Sequence, residues 1–181
     1  MIAFTGNRGH GKDTAADAVQ ATHRLSFAER IKRACQVEFG LTDEQLYVIK
    51  DVIIPRFNMT PRDIFKKYGD AMRRAFGEEH YANMLHFDIT SKELKNVVVT
   101  DVRYDFEAKM LRDLGFVIIK ITRPDVIVND SHSSEQHISE KYVDVVIVND
   151  SDISSLHNKV KDFVNLVQTQ IQFVNYLKNN K

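Results

Sequence analysis

The first fourteen residues constrain this chain more than any other part of it. A short apolar stretch, Ile2-Ala3-Phe4-Thr5, runs without a break into Gly6-Asn7-Arg8-Gly9-His10-Gly11-Lys12-Asp13-Thr14, and an alanine-rich helical stretch follows. Glycine, four residues, glycine and lysine between a strand and a helix is an arrangement that wraps phosphate. The glycines let successive backbone N–H groups turn inward around phosphate oxygens, and the helix beginning at Lys12 directs its positive dipole end at the same anion. Lys12 then reaches the β- and γ-phosphates, and residues 6–14 together are the expected ATP-binding segment. The alternative is a glycine-rich turn with an incidental lysine.

Asp13 departs from the general pattern. Ser or Thr ordinarily follows this lysine and offers Mg²⁺ a hydroxyl, whereas here an acid stands there and Thr14 is the remaining hydroxyl. An acid beside a triphosphate is unfavourable unless it faces the metal, a metal-bound water or the nucleophilic oxygen of a second substrate. Asp13 is expected in one of those roles; the plainer reading is a first-turn acid that stabilises a helix N-terminus. Asp13 and Thr14 are thus the expected Mg²⁺ groups at the loop, directly or through water. The third is Asp101, which ends the run Val97-Val98-Val99-Thr100-Asp101 in the form of a strand whose terminal carboxylate holds Mg²⁺ or its water shell. A turn-forming Asp is the alternative.

Helical and strand periods alternate over most of the chain, which predicts an α/β fold with a mainly parallel sheet covered by helices on both faces. The strands are expected at 2–5, 97–100, 117–121 and 143–148, with a fifth near Leu25-Ser26. The clearest helix starts at Thr60-Pro61, an N-cap followed by proline at the first helical position, and carries Ile64, Phe65, Tyr68, Ala71, Met72 and Ala75 as one apolar stripe up to Gly77. Others are expected after Gly11 and over 27–39, 43–50, 79–94 and 106–114. A C-terminal helix over about 152–177 carries Ile153, Leu156, Val160, Phe163, Val167, Val174 and Leu177, interrupted by Gln170; it is read as packed on the sheet, the alternative being a homodimer helix. The length of 181 residues, against about 150 per domain, predicts one domain without a linker.

Phosphoryl transfer needs cations around the moving group, and arginine suits because its planar fork binds phosphate bidentately. Arg103 lies two residues beyond Asp101, Arg62 in the first turn of the Thr60-Pro61 helix, and Arg73-Arg74 about three turns later. Arg62 and Arg103 are the preferred candidates, with solvated surface the alternative for each. Arg123-Pro124 follows a strand directly and opens a polar stretch, 123–140, that contains His132-Ser133-Ser134-Glu135. That is the form of a lid over ATP, or of an ordinary surface loop. His132 and His137 are five apart, without the i, i+4 spacing of a helical zinc pair, so no zinc site is expected.

Taken together, these segments resemble the phage-type deoxynucleoside monophosphate kinases, and more distantly phosphomevalonate kinase, within the P-loop kinases. The resemblance rests on Gly11-Lys12-Asp13-Thr14, Phe27-Ala28 with Ile31-Lys32, Thr60-Pro61-Arg62 with Gly69, and Thr100-Asp101-Val102-Arg103-Tyr104 with Glu107-Ala108. It continues through Arg123-Pro124 and His132-x-Ser134-Glu135, covering residues 1 to about 150 in order. It implies a three-layer α/β/α kinase with a helical acceptor-binding region at about 27–95 and a small lid, and the reaction of ATP with a deoxynucleoside monophosphate, with Mg²⁺. It further implies that Phe27, Lys32 and Arg62 lie near the acceptor and Arg123 on the ATP side; Tyr68 and Arg73 complete the expected acceptor set, and Phe27 and Tyr68 are the aromatic candidates for the base. Lys12, Asp13, Arg103 and Arg123 are the expected catalytic group. Phe106 and Lys66 depart from the family pattern, where Asn and Gln are frequent, which puts base choice in question.

Composition removes several competitors. Lys plus Arg and Asp plus Glu both number 25, so formal net charge is zero and no whole-surface basic field for DNA or membrane is expected. A single cysteine, Cys35, gives no disulfide framework, and no apolar run approaches the ~20 residues that span a bilayer. A cytoplasmic protein is expected, in the host cytoplasm if viral. A guanine-reading switch would carry Asn-Lys-x-Asp, but Asn158-Lys159 is followed by Val160-Lys161. A phosphomevalonate-like acceptor and a nucleic-acid-linked ATPase stay open as alternatives.

Overall fold

The computed structural model describes residues 1–124, 126 and 138–179. In chain order the elements are β1 (Ile2–Thr5), α1 (Lys12–Asp17), β2 (His23–Leu25), α2 (Phe27–Phe39), α3 (Asp43–Tyr47), α4 (Pro61–Phe76), α5 (His80–Ser91), β3 (Val97–Val102), α6 (Asp105–Asp113), β4 (Val117–Thr122), β5 (Val145–Val148) and α7 (Ile153–Asn179). The chain divides into two compact units, Met1–Arg24 with Lys95–Lys181, and Leu25–Leu94.

The first unit holds a five-stranded, all-parallel sheet in the order β2-β3-β1-β4-β5. The central strands β1, β3 and β4 are apolar and largely buried on both faces, as a parallel sheet under helices requires, whereas the edge strands β2 and β5 are partly exposed. On one face Ile2, Phe4, Val98, Ile119, Ile121 and Ile147 meet Ala15 and Ala16 of α1 and Leu156 and Val160 of α7. The alternate residues Ala3, Val97, Val99 and Ile118 are also buried, and α6, with Ala108 and Leu111 fully buried, packs against β4. Because all strands run the same way, the loops after β1, β3, β4 and β5 open at one edge, where ligands of such sheets bind.

Four strands differ from expectation: β2 is His23–Leu25, with Ser26 already the N-cap of α2, β4 runs one residue further to Thr122, and β3 and β5 are shifted for reasons the structure shows. β3 continues through Asp101 to Val102, because Thr5 pairs with Val102 and donates its hydroxyl to the Val102 carbonyl at 2.9 Å. β5 begins at Val145 rather than 143: residues 140–142 form a 3-10 turn, and Asp144 is held by accepting the Ile118 N–H at 2.8 Å. In α7 the buried positions are Leu156 and Val160, whereas Ile153 is exposed and so are Leu166, Phe173 and Tyr176 farther along. No helix among the described residues is long and apolar enough to cross a membrane.

The second unit is helical. Ile31, Cys35, Leu41, Leu46, Ile54, Ile64 and Tyr81 form its core, with Phe39, Phe57, Phe65, Tyr68 and Met72 packed at the edge. Burial pushes the Cys35 thiol up to about 12, so it is a core residue without thiolate chemistry. Ala71 and Ala75 of the expected stripe are exposed, so α4 buries a narrower face centred on Ile64. The helix expected over 43–50 ends at Tyr47, where β-branched residues lead into the turns before Pro55.

At the start of α4, Thr60 and Asp63 form a reciprocal capping box: Asp63 N–H donates to the Thr60 hydroxyl at 3.1 Å, and the Asp63 carboxylate accepts that hydroxyl at 2.7 Å. The Thr60 hydroxyl thereby holds the Asp63 carboxyl below its ordinary 3.8. A depressed folded-state value gives stability that is present above the unfolded value and lost as pH falls through the folded one. Thr60→Ala is expected to cost about 1 kcal/mol at neutral pH. The gap in melting temperature between the two proteins should narrow, without closing, as pH falls through the carboxylate range, because the Asp63 N–H bond to the Thr60 hydroxyl does not titrate; a gap that stays constant would remove the Asp63 carboxylate contribution.

Candidate functional site

The strand order places β1 between β3 and β4, so the loop after β1 is flanked by the ends of both neighbours. Its conformation is set by glycine. Gly6 has φ +135°, and a Cβ there would lie 2.2 Å from the Ile121 carbonyl oxygen. Gly11, at φ +96° in the left-handed region, is the residue from which α1 starts, and a Cβ there would lie 2.7 Å from Asn149 Nδ2. Neither position admits a side chain without movement. Lys12 folds back over the loop and donates to the carbonyls of Gly6 at 2.7 Å and Asn7 at 2.8 Å, which sets its ammonium across the concavity the loop encloses.

On the β4 and β5 side a cavity of about 760 Å³ opens against this loop. Gly9, Gly11, Lys12, Asp13 and Thr14 form one wall, Arg123 at the end of β4 another, and Asn149, Asp152, Ser154 and Leu156 from the β5–α7 corner a third. The structure therefore brings the loop and Arg123 together. Asp101 and Arg103 lie at the end of β3, on the other side of β1, and are not among the lining residues of this cavity. Arg103 is held there by buried Glu107, whose carboxylate accepts the N–H groups of Arg103 at 2.8 Å and Tyr104 at 3.1 Å.

Asp13 stands in the first turn of α1, exposed, with its carboxylate 2.8 Å from Arg24 Nη2; Arg24 also pairs with Asp17. Among the described residues no three His, Cys, Asp or Glu side chains gather as a metal cage. Mg²⁺ does not need one, since it dehydrates reluctantly and takes one or two carboxylates beside substrate phosphates. The Asp13 carboxylate and Thr14 hydroxyl at the loop, with Asp101 at the next strand, have the hard-oxygen chemistry that suits it.

The acceptor candidates all fall in the second unit. Arg62 makes a two-point pair with Asp51, Nε to Oδ1 at 2.6 Å and Nη2 to Oδ2 at 3.1 Å. Lys32 lies over the Tyr47 ring, 4.7 Å from its centroid, and Arg73 lies over the Tyr81 ring at 5.4 Å and reaches Asp70 at 3.4 Å. Arg62 and Arg73 share one face of α4, but eleven residues of helix separate them by about 16 Å, so they serve different parts of any ligand. Phe27 is buried, and Tyr68 is set edge-on against Phe39 at the rim of the core. Phe106, the departure noted in sequence, stacks on Tyr104 with centroids 5.1 Å apart. His132, Ser134, Glu135 and His137 of the expected lid lie outside the described residues.

Several groups at these sites carry no local sequence signal. Asn149 is buried and donates its side-chain N–H to the His10 carbonyl at 3.0 Å; His10, also buried, sets Nδ1 3.2 Å from the Ile121 carbonyl. His157 of α7 places Nε2 2.9 Å from the Thr14 carbonyl. In the second unit, burial pushes the Tyr81 hydroxyl up to about 12, and among the described residues it has no hydrogen-bond partner.

Comparison with known proteins gives a consistent result. Residues 49–160 match the family model described as deoxynucleotide monophosphate kinase. A protein of Acanthamoeba polyphaga mimivirus, assigned by description as a deoxynucleotide monophosphate kinase, is 32% identical over 182 aligned positions, covering 88% of this chain and 93% of that protein. The deoxynucleotide monophosphate kinase of Enterobacteria phage T4 is 34% identical over 65 residues, 36% of this chain and 27% of the phage enzyme.

Proposed function

The chain belongs to the deoxynucleotide monophosphate kinase family, and from that membership we propose that it transfers the γ-phosphoryl of ATP to a deoxynucleoside 5′-monophosphate. The products are ADP and the deoxynucleoside diphosphate, a precursor for DNA synthesis. The observation that carries this reading is the glycine-built loop with Lys12 across it, opening on a cavity that also holds Arg123. Residues 6–14 bind the donor phosphates through backbone N–H groups and the N-terminus of α1. Lys12 and Arg123 approach the donor from two walls of that cavity, while Arg103 stands at the β3 end; these cations offset charge on the transferring group.

Mg²⁺, when bound, neutralises and orients the phosphates, with Asp13, Thr14 and Asp101 as its protein groups, directly or through water. The acceptor is assigned to Phe27, Lys32, Arg62, Tyr68 and Arg73. Arg62, at the N-terminus of α4, combines a bidentate fork with the positive end of the helix and is the group placed on the acceptor phosphate.

The test is ADP release from Mg-ATP against a panel of deoxy- and ribonucleoside monophosphates, with phosphomevalonate as a further acceptor and Lys12→Ala as control. Turnover that requires a deoxynucleoside monophosphate and vanishes in the variant is the expected result. Turnover with phosphomevalonate alone, or none that depends on an acceptor, would overturn the reading.

A further inference from the structure

We propose that the β5–α7 corner is a two-point brace that fixes the phosphate loop in its ATP-binding form, with Asn149 and His157 as positioning residues. The inference rests on the donor-site reading above and goes beyond it, because neither residue belongs to the loop or its motif. The two contacts bracket the loop's functional end. Asn149 donates to the carbonyl of His10 at 3.0 Å, just before Gly11, and His157 meets the carbonyl of Thr14 at 2.9 Å, just after Asp13. Gly11, Lys12 and Asp13 lie between the clamped carbonyls.

The chemistry of each contact is fixed. A carbonyl only accepts, so His157 Nε2 carries the proton in this bond. It supplies a donor to a carbonyl of a helix only six residues long, whose last carbonyls lack intrahelical partners. Asn149 is itself anchored, its backbone N–H donating to the Thr122 carbonyl at 2.7 Å, so β4, β5 and the loop are tied at one place. Both Asn149 and His10 are more than nine-tenths buried, where an amide left without its partner is costly. The absence of a Cβ at Gly11 is what lets the Asn149 amide come this close. His157 is not among the residues lining the cavity, so its effect on ATP must pass through α1.

The test compares Asn149→Ala, His157→Leu and His157→Gln with the wild-type protein, the last keeping an amide donor near the Nε2 position. ATP affinity is measured by equilibrium titration, KM for each substrate and kcat by steady-state assay, and folding by melting temperature. Asn149→Ala and His157→Leu are each expected to weaken ATP binding about tenfold, the loss of one hydrogen bond, buried at Asn149 and part-buried at His157. For His157→Leu, KM for the deoxynucleoside monophosphate and kcat at saturating ATP should stay within about twofold, and His157→Gln should recover most of the ATP affinity; Asn149 also lines the cavity, so Asn149→Ala reports on ATP affinity alone. The double variant should lose less than the product of the single losses, since both contacts hold one element.

ATP affinity unchanged in both single variants, with the wild type binding ATP, would overturn the brace alone. Equal loss for both substrates together with a lowered melting temperature would also overturn it, as general destabilisation. A wild-type protein that does not bind ATP would overturn the functional reading and the brace with it. Should Asn149→Ala not fold, the His157→Leu and His157→Gln pair decides.

Discussion

Replacing Lys12 with alanine is expected to lower phosphoryl transfer about a thousandfold with the fold intact, the size of effect seen when a preorganised donor to developing charge is removed. The reason lies in where the loop holds the side chain. Its ammonium sits 2.7 Å and 2.8 Å from the carbonyls of Gly6 and Asn7, a position from which phosphate oxygens can exchange for loop carbonyls without moving the backbone. Alanine removes the charge, and Arg123 approaches from the β4 wall and cannot substitute for a cation seated across the loop. The measurement is kcat at saturating substrates beside a circular dichroism spectrum. Retention of more than about a tenth of wild-type kcat would contradict the role given to Lys12.

Gly6→Ala is the second large effect and acts through geometry rather than charge. Its Cβ would stand 2.2 Å from the Ile121 carbonyl oxygen and 3.3 Å from the carbonyl carbon, at a φ of +135° that L side chains rarely adopt. A backbone carbonyl in a central strand cannot rotate away as a side chain can, and the same carbonyl meets His10 Nδ1. The expected cost is about 3 kcal/mol, combining clash and backbone strain, which for a chain of this size lowers the melting temperature by about 10 °C. ATP binding is lost because the loop is displaced with it. Gly115→Ala separates the two causes: Gly115 has φ +82° but nothing within 4 Å of a Cβ. Strain alone is expected there, about 1 kcal/mol. Equal losses at both glycines would contradict the contact with Ile121.

The parts of this protein that were legible in sequence are those whose partners are near in the chain. The strand, loop and helix through residue 17 could be read directly because glycine positions, lysine and helix start are consecutive. Pro61 with its capping threonine marked α4 for the same reason. Strand limits are less legible, because Val102 belongs to β3 through a hydrogen bond from Thr5, 97 residues away. The exposure of Ala71 and Ala75 was not legible either, since helical period says which residues share a face but not how wide a face the neighbours cover.

At the site the same division holds. Residues 6–14 and Arg123 could be named from spacing, and the structure places Arg123 on the cavity beside the loop. Asn149 and His157 could not, because their partners lie 139 and 143 residues away. Arg24 meets Asp13 only because β2 returns along the sheet after α1, eleven residues later. Glu107 enters the sequence reading as part of the family resemblance but with no role attached, whereas its burial and its two backbone donors make it the group that fixes the Arg103 end of β3.

The central claim is transfer of a phosphoryl group between two nucleotides, and following the label tests it most directly. The protein is incubated with Mg-ATP labelled in the γ-phosphate and a deoxynucleoside monophosphate, and the products are separated. Label in the deoxynucleoside diphosphate, in amount equal to the ADP formed and absent with Lys12→Ala, is the predicted result. Label recovered as inorganic phosphate at the same rate with and without acceptor would show transfer to water and contradict the account.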